Sequence, residues 1–231
     1  MRIDLIAENA DLFVTGISMT LKLTVMSLAI GMAIALPVAV LRGMRLPVVD
    51  KVLRGYIFAF RGTPMLVQTY LIYYGLAQFE FVRDSVFWAV LKSPFNCALI
   101  AFSLNTAAYT AEILRGALEA TPKGEIEAAE AIGLSPLQVL RRITIPGAFR
   151  RALPQYGNEV ILMLHGSTVA SVITIQDILG AGRTLNGKYY LAYEGLVTAA
   201  LLYLALTFLI AAAFGLGGRK WLAHLRPAAT R

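Results

Sequence analysis

Hydrophobic and polar positions divide this chain into long charge-free runs separated by basic, polar stretches. Residues 23–41, 62–79, 93–111, 160–176 and 195–218 contain no Asp, Glu, Lys or Arg. A membrane-crossing helix takes about 20 mostly apolar residues. The pattern therefore predicts five spans, over about residues 14–41, 57–79, 95–118, 157–176 and 194–217. The third continues past its charge-free run through Glu112, and the fourth contains His165. Ahead of the first span, Ile3, Leu5, Ile6, Leu12 and Phe13 alternate with acidic residues, a pattern that fits a short helix lying in the outer interface of the membrane and equally a frayed terminus.

Between the third and fourth spans the pattern changes. In the loop 121–154, Thr121-Pro122 reads as an N-cap followed by proline at the first helical position. That helix is predicted to stop at Gly133, a natural left-handed residue after a helix end. Ser135-Pro136-Leu137-Gln138 then has the form of a capping box, opening a second short helix that ends before Pro146. Two short helices joined by a tight glycine turn are thus expected to project from the membrane. Ala128, Ala129 and Ala131 would let another surface approach closely, and Glu125, Glu127 and Glu130 give the first helix a charged face.

Composition strengthens the membrane reading and charge gives it a direction. The chain is 58% hydrophobic and 15% charged, whereas a soluble domain is roughly 45–50% apolar and about 25% charged. The loop after the first span carries Arg42, Arg45, Lys51, Arg54 and Arg61. The segment after the third carries Lys123, Arg141, Arg142, Arg150 and Arg151, and the tail carries Arg219, Lys220, Arg226 and Arg231. These regions hold 14 of the 21 Lys and Arg residues, and the alternate regions hold only five. Basic residues collect on the cytoplasmic side, so the N-terminus is expected outside (periplasmic) and the C-terminus in the cytoplasm. The net charge of +7 then reports topology rather than a nucleic-acid surface, because spans separate the basic regions. Asp4, Glu8 and Asp11 against a single Arg2 argue against a cleavable leader. A single cysteine, Cys97, allows no internal disulfide, and two histidines, His165 and His224, supply too few ligands for a His-based metal site.

The spacing Glu127-Ala128-Ala129, three residues, Gly133, nine residues, Ile143-Thr144-Ile145-Pro146 resembles the EAA motif of ABC importer permeases. Ile145 stands where leucine is usual, a swap that keeps size and apolarity. Arg61-Gly62-Thr63-Pro64 with Gln68 and Tyr73-Tyr74-Gly75 is similar to the second-span signature of polar amino-acid permeases. Asn105 to Tyr109 with Glu112 and Arg115-Gly116 is similar to their third, and Gly157 to Val160 with Ser167 to Ser171 to their fourth. The string Asn158 to His165 most resembles the M-type subunits of histidine, lysine/arginine/ornithine and octopine/nopaline importers. The resemblance implies an all-α membrane protein with the type I ABC importer fold in the bacterial inner membrane. It assigns Glu127, Ala128, Ala129, Gly133, Ile143 and Pro146 to a coupling helix that docks on an ATP-hydrolysing subunit. The partners it implies are two ATP-binding subunits, a second related permease (a heterodimer) and a periplasmic solute-binding protein.

Candidate path residues follow from polarity at membrane depth, where polar groups face a bundle interior or an aqueous cavity. Asn105, Tyr109 and Glu112 share a helix face, and Glu112 pairs in sequence with Arg115. His165, Ser167 and Thr168 form a second polar group in the fourth span. Each set reads equally as interhelical packing. Glu159 is expected to tie its helix to Arg150 or Arg151, Tyr70, Tyr73 and Tyr74 suit an interfacial belt, and Pro64 suits a first helical turn. No G-x4-G-K-[ST] occurs, so ATP and Mg are expected on the partner ATPase, with no cofactor on this chain and no catalytic residues. A membrane-embedded enzyme would have to use His165 with Ser167 or Glu112, and a stand-alone channel would have no use for a docking hairpin.

Overall fold

Residues 2–44 and 46–221 are described by the computed structural model, with side chains as far as residue 218. Arg45, the side chains of Arg219 and Lys220, and His224, Arg226 and Arg231 lie outside that description. Helix α1 (Ile3–Glu8) is followed after Asn9 by α2 (Ala10–Gly43), then α3 (Pro47–Gly62) and α4 (Met65–Tyr70). A π-turn (Leu71–Gly75) and a 3-10 turn (Leu76–Gln78) lead to the short α5 (Glu80–Arg83) and α6 (Trp88–Leu91), then α7 (Pro94–Glu119). The loop holds α8 (Lys123–Ala131) and α9 (Pro136–Val139). A second π-turn (Leu140–Thr144) enters α10 (Ile145–Gly166), a 3-10 segment (Ser167–Ile173), α11 (Ile178–Tyr189) and α12 (Glu194–Trp221). No strand occurs among the described residues.

Three of these helices, α2, α7 and α12, are each long and apolar enough to cross a bilayer. A fourth crossing is available if the segments from Pro136–Ile173 and Ile178–Tyr189, bent by 46° at their junction, count as one broken span. The stretch expected as a continuous second span is instead divided among α3, α4 and the two turns after it, with its helix beginning at Pro47. At 1.5 Å per residue the 34-residue α2 is about 50 Å long, more than a hydrocarbon core of about 30 Å needs.

Small residues bring the helices together. On one half of the bundle Ala35 and Ala39 of α2 meet Ala108 and Ala111 of α7 and Ala148 and Ala152 of α10, all buried. Such side chains let helix backbones approach, which matters where lipid offers apolar groups no reason to leave it. A Cβ on Gly31 of α2 would overlap Thr106 Cγ2 of α7. On the other half Leu23 and Leu28 pack on Ala98, Ala101 and Phe102, with Met163, Ala170 and Ile173 from the fourth span. Helix α12 is only 6% buried over its most apolar window and leaves Leu201, Leu204, Phe208, Leu209 and Leu216 exposed, as a lipid-facing helix should.

A buried polar knot joins the first, fourth and last spans. Asp177 caps α11 by accepting from the Gly180 amide at 2.7 Å and accepts from the Tyr203 hydroxyl of α12 at 3.0 Å. The Ile178 amide donates to Thr20 Oγ1 of α2. The amide-to-carboxylate bond is the N-cap chemistry expected of aspartate.

Candidate functional site

The hairpin between α7 and α10 is built from two complementary helix ends. Gly133 has φ +85°. Its amide donates to the Glu130 carbonyl at 2.9 Å, and the Leu134 amide to the Ala129 carbonyl at 3.1 Å. These are the paired bonds of a Schellman motif, which satisfy carbonyls that α8 would otherwise leave unpaired. Two residues on, the Ser135 amide donates to Gln138 Oε1 at 2.9 Å and the Gln138 amide to Ser135 Oγ at 3.4 Å, a reciprocal capping box with Pro136 in the first helical turn. Ala129 and Val139 are buried in the hairpin. Glu127, Ala128 and Gly133 are exposed, with Ile132 78% and Leu137 72% exposed beside them.

Two expectations for this loop are corrected. Thr121 makes no cap; α8 starts at Lys123, and Thr121 Oγ1 donates back to the Leu118 carbonyl at 2.8 Å. Nor does a helix end before Pro146. The π-turn Leu140–Thr144, with Ile143 inside it, carries the helical path into α10, where Pro146 sits in the first turn. Proline lacks an amide hydrogen and is tolerated there because first-turn amides have no intrahelical partner. The base of the hairpin is held by Arg151 of α10, whose Nε donates to the Ala117 carbonyl at 3.1 Å and whose NH2 group donates to Thr121 Oγ1 at 2.6 Å. That guanidinium satisfies a last-turn carbonyl of α7 and places positive charge at the negative end of that helix.

Asn105, Tyr109 and Glu112 do share one face of α7, and each is engaged by another helix. The break between α3 and α4 falls at Thr63-Pro64, leaving the carbonyls at the end of α3 without helical donors. Gln68 Nε2 donates to the Phe60 carbonyl at 2.8 Å and to the Thr63 carbonyl at 3.0 Å. Asn105 Nδ2 donates to the Phe60 carbonyl at 3.2 Å and to Gln68 Oε1 at 3.0 Å, and Thr63 Oγ1 donates to the Ala59 carbonyl at 2.7 Å. The Arg61 guanidinium lies 5.1 Å from the Tyr109 ring centroid, and the Tyr109 hydroxyl donates to the Arg61 carbonyl at 3.4 Å. Broken helices at membrane depth survive only where side chains or a cavity re-satisfy the backbone, and this clasp does so. Pro64 precedes α4 as its N-cap residue.

Glu112 belongs to a charged network. It accepts from Arg115 three residues on and from Arg42 at the end of α2; Arg42 also reaches Asp50 at 3.2 Å, and Arg115 reaches Glu119 at 2.6 Å. Asp50 is held below its ordinary value by the Arg54 guanidinium first, and by Arg42 as well. A cavity of about 500 Å³ opens beside it, lined by Arg42, Arg54, Ile57, Phe58, Arg61, Gly62, Tyr109 and Glu112.

The second polar group does not converge on the first. His165 Nε2 is 2.9 Å from Thr207 Oγ1 of α12, Ser167 Oγ donates to the Leu164 carbonyl, and Thr168 Oγ1 to the His165 carbonyl. Ser167 is buried, whereas His165 is exposed. Glu159 is not tied to Arg150 or Arg151; it is buried and accepts from Thr106 Oγ1 of α7 at 2.7 Å. The sequence offers Arg151 to Glu159 rather than to Ala117 and Thr121, and it does not indicate Thr106 for Glu159 or Arg42 for Glu112, since these contacts bridge 34, 53 and 70 residues of chain.

Comparison with known proteins places this architecture. Residues 17–221 match the family described as binding-protein-dependent transport system inner membrane component. The octopine transport system permease protein OccM of Rhizobium radiobacter is 48% identical over 87% of this chain and 82% of its own length. The histidine/lysine/arginine/ornithine transport system permease protein HisM of Escherichia coli is 39% identical over 94% of this chain and 91% of its own. The arginine ABC transporter permease protein ArtM of Haemophilus influenzae is 42% identical over 87% and 88%. Among solved structures, an amino acid ABC transporter crystallised with histidines superposes with a TM-score of 0.82 at 32% identity, over 93% of this chain and 96% of that one. An inward-facing MetNI methionine ABC transporter at 22% identity shares the fold with a TM-score of 0.76. With an all-helical type I importer fold and a family match over nearly its whole length, the chain belongs to the inner-membrane permease subunits of binding-protein-dependent ABC transport systems.

Proposed function

We propose that this permease conducts a basic amino acid or an opine derived from one into the cell. It works as half of a permease pair seated on two ATP-binding subunits and fed by a periplasmic solute-binding protein. The chemistry of the relatives' named cargoes supports the substrate class: octopine for OccM, histidine, lysine, arginine and ornithine for HisM, and arginine for ArtM. ATP and Mg belong on the partner ATPases, and the pairing is with a related second permease, a reading that rests on the M-type relatives.

The observation that carries the coupling assignment is the hairpin itself. A Schellman turn and a capping box fix two short helices against each other, and small or apolar side chains at Ala128, Ile132 and Leu137 are left exposed at the tip. An exposed apolar tip rimmed by charges marks a protein contact, and ATP-driven closure of the partner would push through it. In this reading the chain crosses the membrane five times with its N-terminus outside, and the polar column Asn105, Tyr109 and Glu112, with His165, Ser167 and Thr168 across the bundle, borders the substrate path. The test is ATP-dependent uptake by the assembled transporter. Glu127→Lys or Gly133→Asp should abolish uptake while the chain still inserts in the membrane, and undiminished uptake in both overturns the assignment.

A further inference from the structure

The segment joining the second crossing region to α7 carries side chains that water would not hold open. Phe79 is 52% exposed, Phe81 73%, Val86 86% and Phe87 69%. The run 85–91 is free of charge, and Glu80, Arg83, Asp84 and Lys92 flank it. Much of its backbone is bonded within the segment. The Val82 and Arg83 amides donate to the Phe79 carbonyl, Asp84 to Glu80, Ser85 to Val82 and Trp88 to Ser85. The Leu91 amide donates to the Phe87 carbonyl and Lys92 to Trp88. Side chains close further carbonyls: Ser85 Oγ donates to Val82 at 2.7 Å and Arg83 to Ala77 at 3.4 Å. A backbone bonded in part to itself suits the hydrated headgroup level rather than the hydrocarbon core, and large apolar side chains edged by charged ones are the composition of segments that lie in the membrane–water boundary.

We propose that residues 79–91 form an amphipathic strap lying in the headgroup boundary of the bilayer, with Phe79, Phe81, Val86, Phe87 and Trp88 set among the upper acyl chains. Continuity with the lipid-facing surface favours lipid as the occupant. The strap begins where the second crossing region ends and is followed at once by α7, so both of its ends are tethered at membrane level. The single helical turns α5 and α6 can lie flat between those ends with their aromatic side chains toward the acyl chains. The Glu80 and Arg83 pair, 3.8 Å apart and largely exposed, stays on the aqueous side. The inference goes beyond the transport function and rests only on the flanking elements crossing the membrane, in either orientation.

Trp88 is one of two tryptophans, so a Trp221→Phe chain reports the strap alone. The full chain is reconstituted into phosphatidylcholine/phosphatidylglycerol vesicles, and vesicle flotation establishes insertion. Lipids brominated near the headgroup end of the acyl chain should quench Trp88 roughly twice as strongly as lipids brominated near the chain terminus, and aqueous iodide should quench weakly. Phe81→Ser with Phe87→Ser should raise iodide quenching without releasing the chain from floating vesicles. Strong iodide quenching with no bromolipid effect in the Trp221→Phe chain overturns the strap, as does shielding from both quenchers. Failure to float would instead refute the membrane-crossing reading of the flanking helices.

Discussion

Two glycines separate backbone demand from steric demand. At Gly133 a Cβ would meet nothing within 4 Å, but φ is +85°, so only the left-handed conformation resists substitution. Gly133→Ala should destabilise the hairpin by about 1 kcal/mol and Gly133→Asn by less, because asparagine tolerates that region. Hydrogen exchange at the Leu134 amide, bonded to the Ala129 carbonyl, is the direct measurement; unaltered protection in Gly133→Ala would refute the strain account. Gly31 is the opposite case, with ordinary helical backbone and a Cβ site that overlaps Thr106 Cγ2. Thr106 is β-branched and fixed by its bond to Glu159, so it cannot swing away cheaply. Gly31→Ala should cost about 1–3 kcal/mol as overpacking. Thr106→Ser, which deletes the clashing methyl and keeps the hydroxyl, should recover part of that in the double variant. Thermal unfolding in detergent reads both. The need at Gly133 was legible in sequence from the end of the preceding helix; the need at Gly31 was not, because the partner lies on another helix.

At the scale of elements, the sequence showed where helices are punctuated better than how a punctuation mark is resolved. Gly62-Thr63-Pro64 was visible, yet the stretch reads as one continuous span, and the protein breaks it. Conversely Pro146 reads as a stop and the protein runs through it, using a π-turn over Leu140–Thr144. The difference lies in who satisfies the freed backbone. At Thr63-Pro64 the donors are Gln68 and Asn105, one of them 45 residues away from the carbonyl it serves, which local chemistry does not reveal. Gln68 reaches two carbonyls, Phe60 and Thr63, whereas Asn105 reaches Phe60 alone. Gln68→Leu should therefore destabilise more than Asn105→Leu, by about 1–3 kcal/mol for each carbonyl left without a donor. The double variant should cost more than the sum, since either side chain alone can still serve Phe60. A double-mutant cycle on unfolding checks this, and simple additivity would mean the two side chains do not share the carbonyl.

Viewed whole, the molecule is a bundle in which the hairpin leaves α7 at the end that carries Arg115 and Glu119 of the charged network. The basic loops set an expectation for the side of the membrane on which the hairpin lies, but they say nothing of how a push on the hairpin would reach the spans. Arg151 supplies the connection. It sits on α10, bonds the Ala117 carbonyl of α7 and holds Thr121 at the hairpin base, so α7, the hairpin and α10 are joined at one guanidinium. Those bonds involve a charged donor and are worth roughly 1.5–3 kcal/mol each, enough to make the joint stiff without dominating the stability of the bundle. If the hairpin docks on an ATPase as proposed, Arg151→Ala should leave the ATPase bound and hydrolysing while lowering the amount of substrate moved per ATP. Arg151→Lys, which keeps the charge and can make one of the two bonds, should restore part of that ratio. A merely structural role predicts something different: less transporter in the membrane, with uptake per ATP unchanged in the molecules that remain. The ratio of uptake to ATP hydrolysis in reconstituted vesicles distinguishes the two, and a constant ratio across the native transporter and both substituted forms would place force transmission elsewhere in the bundle.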